Sequence, residues 1–269
     1  MESGKRARLS DWRHKVFNYA LNLFAASALV FSATAARAED GWKVTFTPYM
    51  WLQGTNGDIK VKGFKTHLSD SFLDMLDSSD TLIGGFAHLE AWRGDWGLYL
   101  EGNYSYTSTK GEVLGAIKTR VETAMTILEA GGFYKLAGGA VDGAPKQNWQ
   151  IEALLGVRYV AFNLKADVGP LSLDRTLDWV DPLIGISGHV DIAPSWTLIG
   201  HADVGGFGIS SDFTTNLYAL VGYRSELFGA QVLSSFGYRG LYINRHDSGK
   251  NNSADLWLHG PVLGMTFRF

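Results

Sequence analysis

The last residues of the chain, 255–269, constrain the fold more than any other stretch. In steps of two back from the end, large apolar side chains stand at Phe269, Phe267, Met265 and Leu263, whereas the position between the last two holds Arg268. Alternation with period two is typical of a β-strand with two different faces. An apolar face that runs to the terminal aromatic predicts apolar surroundings for this strand.

The same alternation recurs along the chain and predicts an all-β fold, a closed antiparallel transmembrane β-barrel of ten strands. Barrel strands that start and finish on one side of a membrane are even in number, and eight or twelve also fit the pattern. Short turns at 94–95, 193–195 and 227–229 alternate with longer polar joins at 108–118, 163–176, 205–213 and 245–254. The join at 137–148 also reads as a turn. The predicted strands are 42–53, 81–93, 96–107, 119–136, 149–163, 177–192, 196–205, 214–226, 230–244 and 255–269.

The composition agrees with a barrel and excludes a bundle of membrane-spanning helices. Mean hydropathy is −0.03 and the apolar content is 46%. Spanning helices would need several apolar runs of about 20 residues, whereas barrels alternate lipid-facing and lumen-facing positions. The chain has no Cys, which excludes disulfides and thiolate metal sites.

The first 38 residues read as a cleaved secretory signal peptide. Basic residues precede an apolar core at 20–31, and Ala36-Arg37-Ala38 supplies the cleavage site. The alternative is an uncleaved anchor. Cleavage removes six of 24 basic and two of 27 acidic residues, so the barrel domain at 39–269 has a net charge of −7. No basic stripe survives, and nucleic acid is therefore not an expected partner.

Aromatic residues cluster near the ends of the predicted strands. Amphipathic rings at the two membrane interfaces give such a distribution in barrels. The predicted girdle comprises Trp42, Trp96, Trp149, Trp196, Trp257, Phe267 and Phe269.

An early excursion at 54–80 interrupts the pattern of spanning strands. Residues 59–68 predict a short hairpin folded at Gly63. Ser69 or Asp70 then predicts the cap of a brief helix with Phe72, Leu73, Leu76 and Met75 on its apolar side.

Charged residues occupy the opposite face of the predicted strands. In a narrow barrel such charges pair across the lumen, because an unpaired buried charge is costly. We therefore expect a filled interior, as in other small barrels. The predicted lumen network comprises Glu101, Glu152, Arg158, Asp181, His189, Asp191, His201, Asp203, Arg224, Arg239 and Arg268, with Glu90 on the same face.

Six motifs resemble those of a family of largely uncharacterised Gram-negative outer-membrane β-barrel proteins, and the last strand resembles the closing strands of outer-membrane barrels in general, which end in Phe. The resemblance spans most of the chain and implies fold and location without an activity. Ser187 departs from it, because an Arg is expected there. The motifs are T-P-Y-M-W-L-Q-G-T-N-G (47–57), D-S-F-L-D-M-L (70–76), W-V-D-P-L-I-G (179–185), D-V-G-G-F-G-I-S-S-D (203–212), F-G-Y-R (236–239) and G-P-V-L-G-M-T-F-R-F (260–269).

A catalytic reading is the main rival to a structural one. His201 and Asp203 lie two apart on one strand near Ser210 and Ser211, and His, an acid and Ser together are typical of hydrolases and acyltransferases. His189 and Asp191 with the first pair could also hold a metal. Paired lumen charges explain the same residues more simply. We therefore expect no catalysis, no metal and no cofactor.

The sequence thus predicts a monomeric outer-membrane barrel of the bacterial envelope with a structural, adhesive or small-solute channel role. Its expected partners are outer-membrane lipids and lipopolysaccharide, and the barrel-assembly machinery, which would engage the C-terminal strand. The alternatives are a lipid- or peptide-modifying barrel enzyme and a porin-like diffusion channel.

Overall fold

A computed structural model describes residues 41–61, 64–74, 81–113, 117–227, 229–247, 249 and 251–269. The proposed signal peptide at 1–38 lies outside them. Twelve strands form in this part of the chain. They are β1 Lys43–Trp51, β2 Gly54–Val61, β3 Phe64–Asp70, β4 Thr81–Arg93, β5 Trp96–Val113, β6 Ile117–Val141, β7 Ala144–Val168, β8 Leu171–Ala193, β9 Trp196–Gly205, β10 Phe213–Leu227, β11 Ala230–Asp247 and β12 Asn252–Arg268.

Ten of these strands close into an antiparallel barrel, as the sequence predicted. β4 to β12 pair in chain order, and β1 joins β4 on one side and β12 on the other. The seam pairs Thr45 with Arg268 and Trp51 with Val262. Lys43 and Arg268 therefore lie at one end of the barrel, which we call the terminal end, and the opposite end is the distal end. Among the described residues, helices with the length and hydropathy needed to span a membrane are absent.

The outside of the barrel is a belt of exposed apolar side chains. On β8 the outward positions from Val180 to Ile192 are apolar or glycine, and on β7 Leu155 is 66% exposed. A soluble monomer rarely exposes apolar patches larger than a few hundred Å². Spanning strands need about 9–11 residues when tilted, so this belt has the height that a bilayer requires.

Aromatic rings lie toward both edges of this belt. Trp96 packs on Tyr134 with ring centroids 4.6 Å apart, and Trp196 packs on Tyr223 at 4.9 Å, both beside turns of the terminal end. Toward the distal end, the ring centroids of Trp257 and Tyr242 lie 6.1 Å apart.

Two predicted loops, 108–118 and 163–176, are wrong, because the described parts of both segments are strand apart from the turn at Gly169-Pro170. β5 and β6 continue to Val113 and Ile117, and β7 and β8 continue to Val168 and Leu171. We call this four-stranded projection, described over 107–113, 117–123 and 163–178, the extension. Its polar residues suggested loops, but their period of two persists.

Two further joins are also largely strand. β6 and β7 extend through 137–148 to the turn at Asp142-Gly143, with register shifts after Lys135 and Ala140. β11 and β12 occupy much of 245–254. The loop at 206–212 agrees with the prediction.

β2 and β3 form the predicted hairpin over the distal mouth. β2 continues β1 along β12, pairing Gly54 with His259 and Lys60 with Ser253. Ile59 and Leu68 pack on inward apolar residues that fill the distal lumen, among them Ile127, Phe162, Trp179 and Leu256. The hairpin therefore caps an apolar layer.

The described part of the predicted helix is one turn, Phe72–Asp74, and Met75 and Leu76 lie outside the described residues. Its cap is Ser71, not Ser69 or Asp70. Ser71 Oγ accepts from the Asp74 amide at 3.2 Å, and the Asp74 carboxylate accepts from the Ser71 amide at 3.0 Å. These reciprocal bonds form a capping box. The Ser71 hydroxyl also donates to the Asp74 carboxylate at 2.7 Å, and this bond together with the one from the Ser71 amide lowers the pKa of Asp74. Leu73 is exposed, so the predicted apolar side is incomplete.

Candidate functional site

The middle of the lumen is organised around Arg158 of β7, whose side chain is 0% exposed. Its Nε donates to Glu129 Oε1 on β6 at 2.8 Å. Its Nη2 donates to both carboxylate oxygens of Asp203 on β9 at 2.9 Å. All three residues take the inward face of their strands, so closure of the barrel brings them together. Charges buried this deeply persist only when paired and hydrogen-bonded.

Arg239 of β11 anchors a second group of charges beside the first. Its Nη1 donates to Glu101 of β5 and, at 2.9 Å, to the Tyr49 hydroxyl. Its guanidinium lies 4.7 Å from the centroid of the Trp51 ring, within the range of a cation–π contact. Tyr49 shares its own proton between Glu101 Oε1 at 2.9 Å and Asn103 Oδ1 at 2.7 Å.

Asn216 of β10 joins the two groups into one network. Its amide nitrogen donates to Asp203 Oδ2 at 3.0 Å, and its amide oxygen accepts from Arg239 Nε at 2.9 Å. Inward side chains from β5, β6, β7, β9, β10 and β11 therefore meet in one layer that crosses the lumen.

Two histidines extend this layer toward the terminal end. His88 lies between Glu101, at 3.1 Å from Nδ1, and Glu90, at 2.8 Å from Nε2. His201 Nε2 lies 2.9 Å from Asp203 Oδ2, and its ring stacks on Tyr218 with centroids 4.6 Å apart. Both histidines have carboxylate partners already, which favours a structural role for them.

Asp181 of β8 holds the 206–212 loop on the distal side of the network. Its Oδ1 accepts from the Ser211 amide at 2.8 Å, and its Oδ2 accepts from Ser211 Oγ at 2.6 Å and Trp179 Nε1 at 2.8 Å. Ser211 is fully buried. Among the described residues of the loop, Ser211 carries the only buried hydroxyl, and its bond to Asp181 holds the loop in the lumen.

The remaining predicted lumen residues lie toward the terminal end. Arg224 Nη2 donates to Asp191, which also accepts from the Asn148 amide at 2.9 Å. Gln150 donates to Glu152 Oε1. His189 shares their inward face and lies within electrostatic reach of Asp191, Arg224 and Arg268.

The catalytic candidates do not assemble into a triad. His201 contacts Asp203 as the sequence allowed, but Asp203 is committed to Arg158, and Ser211 bonds Asp181 instead. In a triad the serine would donate to the histidine. Among the described residues, no group of three or more His, Asp or Glu side chains is arranged to hold a metal.

Sequence reasoning missed several members of the network, among them Glu129, Tyr49, Asn216 and His88. Glu129 is the direct partner of Arg158, and it stands in A-M-T-I-L-E-A-G-G-F at 124–133, where it takes the same parity as Ile127. That parity was the available signal. Tyr49 and Asn216 are uncharged, and a search for charges passes over them.

Comparisons with known proteins leave the family open. No family model matches this chain. No curated protein matches it either.

Several solved structures of barrels align over most of the chain at low similarity. The outer membrane protease OmpT of Escherichia coli is 10% identical with a TM-score of 0.42, and the alignment covers 86% of this chain and 98% of that one. Ail, the attachment invasion locus protein of Yersinia pestis, is 12% identical with a TM-score of 0.33, over 85% and 99%. Neisserial surface protein A is 12% identical with a TM-score of 0.30, over 86% and 98%. Similarity at this level carries no argument about function.

Proposed function

We propose that this protein is an integral outer-membrane barrel of the bacterial envelope, with a filled lumen and a structural or adhesive role. The burial of Arg158 between Glu129 and Asp203 carries the proposal. Those charges cross the lumen, and the apolar layer beneath the β2–β3 hairpin fills the space beyond them. A diffusion channel needs a water-filled path, and this interior is packed with side chains instead.

The extension is the part that would serve attachment. It rises beyond the apolar belt and presents charged and polar side chains on its outer face, including Arg120, Lys165 and Asp174. In an outer-membrane barrel the terminal end faces the periplasm, so this face would be displayed outside the cell. We propose a monomer surrounded by outer-membrane lipids and lipopolysaccharide.

A planar-bilayer recording tests the filled lumen. Purified barrel should give no conductance steps, because the ionic layer and the apolar layer both close the path. An Arg158→Ala variant that stays folded is the control for whether the recording can detect an opened lumen, since it opens space in the ionic layer. Steps with the unmodified protein would support the porin-like alternative and contradict this proposal.

Single-cysteine labelling tests the proposed location and orientation, since the chain has no Cys of its own. Asp174→Cys should react with a membrane-impermeant maleimide on intact cells, and Asp142→Cys should react only after the outer membrane is permeabilised. The reverse result would place the extension in the periplasm and remove the adhesive role.

The enzyme alternative has a separate test. Replacing His201 with Ala should leave the envelope lipid profile and outer-membrane peptidase activity unchanged, because His201 serves Asp203 in the network. A lost activity in a variant that folds normally would support the enzyme.

A further inference from the structure

A groove of about 350 Å³ lies on the outside of the barrel where β1, β4, β5 and β6 meet. Its wall is built from outward residues with little or no side chain, Gly85, Ala87 and Gly102. Phe46, Tyr104 and Leu128 form its rim, and the inward residues Phe86 and Asn103 reach its floor.

The glycines of this groove differ from those that permit close packing elsewhere. A Cβ on Gly85 would meet nothing within 4 Å, and one on Gly102 would meet only Leu128 Cδ2 at 3.6 Å. A Cβ on Gly131 would instead fall 2.3 Å from the Leu155 carbonyl oxygen. Gly131 is needed for close strand packing, whereas Gly85 and Gly102 leave open space that a larger residue could fill.

The groove leads to a strand edge that is open toward the distal end. The β1–β4 ladder ends where Tyr49 pairs with Phe86. Beyond that pair, the segment Thr81–Gly85 of β4 pairs with β5 along one edge. Its other edge has no partner among the described strands, because β2, which follows β1, pairs with β12 instead. Behind this edge, Phe86 contacts the inner apolar layer, with its ring 5.6 Å from that of Tyr49.

A second groove on the outside of the barrel serves as a comparison, because no open strand edge adjoins it. It measures about 440 Å³, lies toward the terminal end, and is lined by Trp149, Gly188 and Gly200 among others. The β7–β8 and β8–β9 ladders run through it without interruption at Gly188. Its floor is therefore sealed, whereas the first groove adjoins an open edge backed by apolar side chains.

We propose that the groove at Ala87 and Gly102 binds one acyl chain of a membrane lipid. The groove lies in the distal half of the apolar belt, beside the exposed residues Leu89, Leu100 and Leu128. Hydrocarbon surrounds such a surface in a bilayer, and a flexible apolar chain matches the shape of the groove and its wall of Gly85, Ala87 and Gly102, which carries no side-chain donors. The chain lies over Ala87 and Gly102 and points toward the open edge of β4.

Two matched variants test the site. Ala87→Leu fills the groove, and Ala219→Leu makes the same change on the lipid-facing wall of β10, outside both grooves. The folded barrels are exchanged into detergent containing palmitoyl-oleoyl-phosphatidylglycerol, and native mass spectrometry measures the lipid-bound fraction. The unmodified protein and Ala219→Leu should retain one lipid, and Ala87→Leu should lose at least tenfold of the bound fraction.

Gly102→Leu fills the groove from the neighbouring strand and should repeat the loss. Heat-modifiable electrophoretic mobility verifies that every variant folds, and conductance recordings report on the lumen separately. Equal retention by the folded Ala87→Leu and Ala219→Leu barrels would overturn the proposal. So would an unmodified protein that releases all lipid.

Discussion

The belt and the extension are made by the same strands, β5 to β8, with opposite polarity. In the belt, Leu128 and Val157 face outward and are exposed, while Glu129 and Arg158 are buried inside. In the extension, Arg120 and Lys165 face outward, and Val121 and Leu164 take the inward face, on which Leu164 is partly buried and Val121 is 44% exposed. Arg175 is an exception on that inward face.

The side chains alternate with a period of two residues in both regions, but the polarity of the outward face reverses. The surroundings of each region therefore determine which face is apolar. The outward side chains are apolar in the belt and polar or charged in the extension, as expected if hydrocarbon surrounds the first region and water the second. On the outer face the change falls between Glu122 and Ala124 on β6, and between Asp178 and Val180 on β8. In the proposed membrane location, this level would be the distal surface of the bilayer.

The largest difference between the two regions should appear in assembly. Deleting Phe269 removes reciprocal backbone hydrogen bonds with Val44 at the seam and the terminal aromatic that we expect the assembly machinery to recognise. We expect most of the folded barrel to be lost from the outer membrane, as measured by heat-modifiable mobility. Replacing 109–121 with Asn-Gly shortens the extension and should leave the yield normal. Equal yields in both variants would contradict this distinction.

Removing a buried cation should lower the free energy of unfolding far more than removing a cation from the extension. Arg158→Met leaves Glu129 and Asp203 without their main partner and should lower the free energy of unfolding by about 3–5 kcal/mol. Arg120→Met breaks an exposed pair with Glu122, with N–O at 3.5 Å, and should cost about 0–1 kcal/mol. Denaturant titrations in lipid vesicles measure both. Similar losses would mean that the Arg158 network is solvated.

A new charge should distinguish the two outer faces. Leu155→Arg places a cation near the middle of the belt and should destabilise the barrel by about 2–4 kcal/mol. Ser172→Arg adds the same cation to the outer face of the extension, where water solvates it, and should leave the unfolding midpoint nearly unchanged. A large cost at Ser172 would place the membrane surface further out than the polarity reversal indicates.

The smallest effect concerns pH and the β2–β3 hairpin, which lies outside the spanning strands. Hydrogen bonds from His67 and Lys65 lower the pKa of Asp58. A carboxyl whose folded pKa is depressed stabilises the fold above its unfolded pKa, and this contribution is lost as the pH falls through the folded value. Amide exchange across the hairpin should therefore rise modestly below about pH 4, relative to the extension. Asp58→Asn should remove this pH dependence, and an unchanged profile in that variant would point to another group.

The sequence was sufficient for the strand count, the early hairpin and the inward face of the charged residues, because each depends on a local period of two. It was insufficient for the extension, where polar outward residues were interpreted as loops although the alternation continued. The bonds from Arg158 to Glu129 and Asp203 depend on barrel register and closure, which join residues 29 and 45 positions apart. No local pattern contains that information.

β12 pairs with three strands, since β11 lies along one side while β1 and β2 share the other. The N-terminal strand and the hairpin over the distal mouth therefore have no neighbour on this side until the end of the chain is in place. Contacts between sequence-distant segments form slowly, because a long loop must close before they do. Pairing of β12 with β1 and β2 therefore closes the barrel and places the hairpin over its distal mouth in one late step. A barrel whose synthesis is incomplete would have neither the closed seam nor the covered mouth.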